Sequence, residues 1–260
     1  MQPIEKWISS SIKSIFCDID DTLTNDGKLR PEAYQALWDL FDAGYNIIPI
    51  TGRPAGWCEM IARFWPVHGV IGENGGLYFR HNKNHMKRAY KKSEDELRED
   101  NIKLQQIKAD VLKAVPDSAV ASDQFCRQID LAIDFAEDVG PLSKSSIQKI
   151  VDIFHHHGAT AKVSSIHVNG WFGQHNKLSM CEQYCRDELG QDMTRLQDSI
   201  CFVGDSPNDE PMFGYFENSI GVANVMEFKD DLKSPPKFVT NNKGGFGFVE
   251  VAHQILGSQN

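Results

Sequence analysis

The 260-residue chain predicts an α/β fold: a doubly wound core built on a parallel sheet, with an inserted α+β unit. Three observations carry that expectation. Over the first eighty or so residues, apolar strand-like runs alternate with helical patterns as β-α-β-α-β, the order of a parallel sheet with helices on its faces. The same order resumes at Lys177. Between the two stretches, Gln128 to Phe135 alternates with period two, placing Ile129, Leu131, Ile133 and Phe135 on one face, as in an antiparallel strand with one wet side.

The elements follow in order. Ile15 and Phe16 with Cys17 read as a buried parallel strand that stops at Asp18, before Asp20, Asp21, Thr22 and Thr24. Asn25-Asp26-Gly27 is a tight turn, and Pro31 opens a helix to about Ala43 that Gly44 closes, with Ala33, Leu37, Leu40 and Phe41 as its apolar stripe. Tyr45 to Ile50 is the next strand and ends in Thr51-Gly52-Arg53-Pro54, which places Thr51 at the same sheet edge as Asp18. A helix from about Ala55 to Phe64 leads to a short strand at 69–72 and the turn Glu73-Asn74-Gly75-Gly76.

From about Arg80 the character changes. A charge-dense stretch precedes a surface helix at about 94–115, then the alternating strand, a helix from Leu142 to His157, and two strands at 160–164 and 165–169. Residues 81–172 read as a separate α+β insert between core segments 1–80 and 173–260. Lys177 opens a helix to Glu188. Asp198 to Val203 is a buried strand ending in Gly204-Asp205-Ser206-Pro207-Asn208-Asp209, and short elements near 210–216, 219–222 and 238–240 precede a last helix at 249–256.

A net charge of −9 opposes broad binding to nucleic acid or anionic membrane, both of which need a basic face. The start lacks the pattern of a secretory signal, and no apolar run is long enough to span a bilayer, so the expected location is cytoplasmic. The six scattered cysteines read as reduced core thiols.

Three acidic side chains within four residues repel one another, and a fold that gathers them offsets this with a cation, a shared proton or both. The economical reading of Asp18, Asp20 and Asp21 is a divalent-metal site containing a nucleophile.

Asp18-x-Asp20-x-Thr22 after a buried strand, then Thr51, then Lys177, then Gly204-Asp205-x-x-Asn208-Asp209, resembles the four ordered motifs of the haloacid dehalogenase-like hydrolases, whose core is Rossmann-like. The large insert between the second and third motifs is similar to the cap of the Cof-type branch (subfamily IIB). The stretch from Trp171 to Lys177 is similar to sugar-phosphate phosphatases. The resemblance implies a phosphatase in which Asp18 attacks phosphorus and Asp20 serves as general acid and then base. Thr51 and Lys177 would hold the non-bridging oxygens. It also implies a magnesium ion on the Asp18 carboxylate, the Asp20 carbonyl and the Asp205 carboxylate, with Asp209 binding through water or holding the shell.

The substrate class expected is a small phosphorylated metabolite, a sugar phosphate first. Substrate contacts are expected from Arg53 and, in the cap, from Arg127, His167, Asn169 and Trp171. A phosphomutase or other phosphotransferase shares the same first step. A receiver-type signalling domain uses similar residues but lacks both the cap and the fourth motif.

Overall fold

β2 (Ser14–Asp18) is buried at all five positions, and such a strand needs partners on both edges and helices on both faces. The computed structural model, which describes residues 1–83, 85–164 and 166–257, supplies both. β2 lies inside a nine-stranded sheet, parallel to β5 (Asn46–Ile50) on one side and to β13 (Ile200–Gly204) on the other. Beyond β5 come parallel β6 (Val70–Gly72) and an antiparallel hairpin, β7 (Leu77–Asn82) and β8 (His85–Tyr90). Beyond β13 come β14 (Asn218–Gly221), β15 (Phe238–Val239) and β1 (Gln2–Pro3), all parallel, while β3 (Thr24–Asn25) and β4 (Lys28–Leu29) form a separate antiparallel pair.

Alternation along β2 divides the core into two layers. Ile15 and Cys17 pack with α1 (Pro31–Asp42), α2 (Ala55–Phe64) and α7 (Gly244–Gly257). Phe16 faces α5 (Lys177–Glu188) and α6 (Glu210–Tyr215), among Phe202, Tyr184, Phe213 and Phe216. The buried stripe of α1 is Ala33, Ala36, Leu37 and Leu40. Phe41 departs from expectation: it lies one residue past that stripe and is 42% exposed, edge-on to Trp38.

The insert has its own antiparallel sheet, ordered β11 (Thr160–Val163), β12 (His167–Trp171), β10 (Leu131–Asp134) and β9 (Ala119–Val120). α3 (Glu94–Ala114) and α4 (Lys144–His156) cover one face through Leu104, Ile107, Ile150 and Phe154, which meet Leu131, Ile133 and Val168. Ala132 and Asp134 pair with Asn169 and His167, so these four share the opposite face. The hairpin β7–β8 belongs to the large sheet, so the insert's own sheet and helices begin after Tyr90, not at 81. The charge read as the start of an insert is the solvated surface of an edge strand.

The strand expected from Gln128 begins only at Leu131. The backbone N–H groups of Gln128, Ile129 and Asp130 donate to the buried Glu73 carboxylate at 2.9, 2.6 and 3.1 Å, and so does the Ala55 N–H at 2.8 Å. One carboxylate after β6 therefore fastens the insert to the core. Truncating it orphans three buried donors, of Ala55, Ile129 and Asp130, each costing about 1–3 kcal/mol when nothing replaces the partner, while the Gln128 N–H can turn to solvent. Glu73→Ala is expected to lower unfolding free energy by about 3 kcal/mol in urea denaturation; a change below about 0.5 kcal/mol would show that these donors have other acceptors.

His68, ahead of β6, meets the Tyr184 hydroxyl at 2.8 Å. Burial lowers its pKa from 6.5 to about 4, with the Arg80 charge acting in the same direction. A base depressed by folding contributes stability that is full above its unfolded pKa and is lost as pH falls from 6.5 through 4. Acid unfolding of the native chain is expected to be steeper across that window than that of His68→Gln. Superimposable pH–stability curves for the two would contradict it.

Candidate active site

Parallel strands deliver their carboxyl ends to one edge of the sheet. Asp18 ends β2 in register with Ile50, so Thr51 follows at the next position of β5. Asp205 follows the end of β13. Lys177 is the first residue of α5, whose Asn176 cap accepts the Ser179 N–H while Ser179 bonds back, a capping box that fixes where the helix begins.

These ends converge. The Lys177 ammonium contacts Asp18 Oδ1 at 2.5 Å and Asp209 Oδ1 at 2.8 Å, and all three side chains are buried. Asp18, Asp205 and Asp209 each offer an oxygen within 4.8 Å of the others. The second Asp209 oxygen accepts the Asp205 N–H at 3.2 Å, and the Thr22 hydroxyl donates to Asp205 at 3.2 Å. Burial pushes the Asp18 carboxyl up to about 8, with Lys177 pulling it down and Asp209 and Asp20 pushing it further. Burial, then Asp209 and Asp18, push Asp205 up to about 9. For Lys177, burial opposes the charge, but Asp18 and Asp209 override it and hold the ammonium above the ordinary lysine value.

These shifts test whether a cation fits. Fully ionised, three buried carboxylates against one ammonium would carry two excess negative charges; the upward shifts of Asp18 and Asp205 express that excess, and one divalent ion would balance it. The donors are all oxygens, the set preferred by magnesium.

A cavity of about 410 Å³ opens over this cluster. Its walls include Asp18, Asp20, Arg53, Lys177 and Asp205 from the core, and Arg127, His167 and Asn169 from the insert. Thr51 and Asp209 lie behind the wall. The Thr51 hydroxyl accepts the Arg53 N–H at 2.9 Å, and Asp209 supports Lys177. Trp171 stands apart, 1% exposed in the core and stacked on His175. Arg127 spends its guanidinium on Asp123, Asp130 and the Gly52 carbonyl, and Asn169 donates to Asp130. Asp21 sits in the left-handed region at φ 59°, its N–H donating to Thr24, as suits a turn residue.

Two contributors were not singled out from the sequence. Thr22 orients Asp205, and its place in the Asp-x-Asp-x-Thr run was the available signal. Asn74, read only as a turn residue, lines the cavity with a left-handed backbone at φ 55° and a buried amide nitrogen that has no hydrogen-bond partner among the described residues.

Residues 15–111 match the model of the haloacid dehalogenase-like hydrolase family. A phosphoglycolate phosphatase of Methanobrevibacter smithii is 24% identical over 253 residues, 95% of this chain and 99% of that protein. A Thermoplasma acidophilum protein of known structure superposes with a TM-score of 0.75 at 17% identity, covering 94% of this chain and 98% of its own. A haloacid dehalogenase subclass IIB sugar phosphatase gives 0.64 at 15% identity, covering 95% and 99%. The ordered sheet-edge residues, the inserted α+β unit and these likenesses agree: the chain has the fold of these structures, and over residues 15–111 it is similar to the haloacid dehalogenase-like hydrolases.

Proposed function

We propose that this chain is a haloacid dehalogenase-like phosphatase of small phosphorylated metabolites, sugar phosphates first, and that it works through an aspartyl-phosphate on Asp18. The observation that carries the reading is the buried contact of Asp18 with Lys177 at the floor of a cavity whose walls also hold Asp20 and Asp205. The likeness to the Methanobrevibacter phosphoglycolate phosphatase favours a second substrate, a short phosphorylated acid such as phosphoglycolate. The insert's guanidinium and imidazole at the cavity wall are compatible with either ester.

In this reading an Asp18 oxygen forms a bond to phosphorus while the ester P–O bond breaks and the leaving oxygen takes a proton from Asp20. Such proton transfer is typically worth ~10²–10⁴ in rate. Asp20 then takes a proton from the water that attacks the aspartyl-phosphate, releasing inorganic phosphate and restoring the Asp18 carboxylate. Lys177 offers positive charge where the non-bridging oxygens concentrate negative charge. Thr51 shapes the loop behind them through the Arg53 N–H. The carboxylates of Asp18 and Asp205 and the Asp20 carbonyl would hold magnesium, with Asp209 behind them. Bound there, the ion would neutralise phosphoryl charge and so favour approach of the anionic nucleophile.

Asp18→Asn is expected to abolish phosphate release across a panel of sugar phosphates and phosphoglycolate while the far-UV circular dichroism stays native. Turnover at the native rate would remove Asp18 as nucleophile. Phosphate release in the absence of any acceptor alcohol separates hydrolysis from the phosphotransferase alternative.

Titration calorimetry with magnesium alone is expected to show binding to the native chain and loss of it in Asp205→Asn. Equal binding by both would place the ion elsewhere. Activity silenced by chelator and restored by magnesium completes the test.

A further inference from the structure

Arg53 joins the proposed acid–base group to the insert. Its Nη2 contacts Asp20 Oδ1 at 2.9 Å and its Nε lies 3.2 Å from both Asp20 oxygens. The remaining terminal nitrogen, Nη1, donates to Glu137 Oε1 at 3.3 Å across the cleft. The Trp57 ring lies 4.8 Å from the guanidinium carbon, so the planar group is held on three sides.

Glu137 comes from the insert, in the loop after β10, and that loop is rigidly built. The buried Asp134 carboxylate accepts the N–H groups of Ala136, Glu137 and Asp138 at 2.9, 2.8 and 2.8 Å. Burial opposes the charge on Asp134, yet these backbone donors hold its carboxyl below the ordinary aspartate value. A fixed loop presents Glu137 in one direction. Its second carboxylate oxygen lies 2.9 Å from His167 Nε2, without the alignment of a hydrogen bond.

We propose that Glu137 is a positioning residue: the seated insert delivers it onto Arg53, which fixes the guanidinium that orients Asp20 towards the leaving oxygen. This rests on the role given above to Asp20. A free arginine side chain samples many rotamers, and a proton donor displaced by about an ångström loses much of its rate advantage. Glu137 and Arg53 are both partly solvated, at 33% and 14% exposure, so their pairing adds little to folding stability. Its effect belongs in the kinetics.

The leaving group separates this role from a structural one. A simple alkoxide needs a proton to depart, whereas nitrophenolate leaves without one. The ratio kcat/KM reports the reaction through formation of the aspartyl-phosphate. Glu137→Ala is expected to lower kcat/KM for glycerol phosphate by about tenfold or more and for p-nitrophenyl phosphate by no more than about twofold. Glu137→Gln, which keeps an oxygen for Arg53 Nη1, is expected to recover most of the loss. Combined with Arg53→Ala, Glu137→Ala is expected to cost nothing further, because the two act in series.

Equal loss with both esters, no loss with glycerol phosphate, or additive losses in the double variant would each overturn the positioning role while leaving the phosphatase reading intact. A native chain that releases no phosphate from either ester would overturn both.

Discussion

One ammonium serves three buried carboxylates, and much of the molecule is arranged to make that tolerable. Lys177 contacts Asp18 and Asp209 directly, while Asp205 is held by the Thr22 hydroxyl and lends its own N–H to Asp209. Taking such charges out of water costs several kcal/mol per ion, and a buried pair recovers that only with good geometry and further hydrogen bonds. Hydrophobic side chains of similar volume would serve stability as well. The cluster is better understood as a site left short of positive charge, a shortage that the proposed divalent ion would make good.

That shortage is sustainable because the strands supporting it are rigid. β2, β5 and β13 are buried apolar strands, and each stops within a residue or two of a functional side chain. The capping box of Asn176 and Ser179 plays the same part for Lys177, since a slipped helix start would swing the ammonium away from both carboxylates.

The insert meets the core through two unlike contacts. At its root, the fully buried Glu73 accepts the buried N–H groups of Ile129 and Asp130 and the partly exposed one of Gln128. At its lip, Arg53 and Glu137 pair at 3.3 Å with partial exposure, and such a contact is weak and salt-sensitive. Root and lip thus divide the work between holding the insert and setting the chemistry beneath it.

Residues at the ends of buried strands were legible in the sequence. Asp18, Thr51 and Asp205 each follow an apolar run, and in a parallel sheet run ends share one edge, so chain order alone predicts their neighbourhood. The period-two pattern likewise found the strand at 131–134 and its polar face, and the register then set Asn169 and His167 beside Ala132 and Asp134 on that face. Local patterns did not reveal which polar groups meet across the fold. Gln128 to Asp130 read as strand because alternation cannot register an acceptor on Glu73, some fifty residues earlier. The hairpin to Tyr90 read as insert because charge on an edge strand looks like charge on a separate domain. Glu137 carried no signal: its position follows from three N–H bonds to Asp134 and from the placement of β10 over the site. Sequence determined the scaffold and its reactive edge, since burial writes a periodic pattern along the chain. Only tertiary structure decided the partners of each charge, since hydrogen bonds between distant segments leave no period to read.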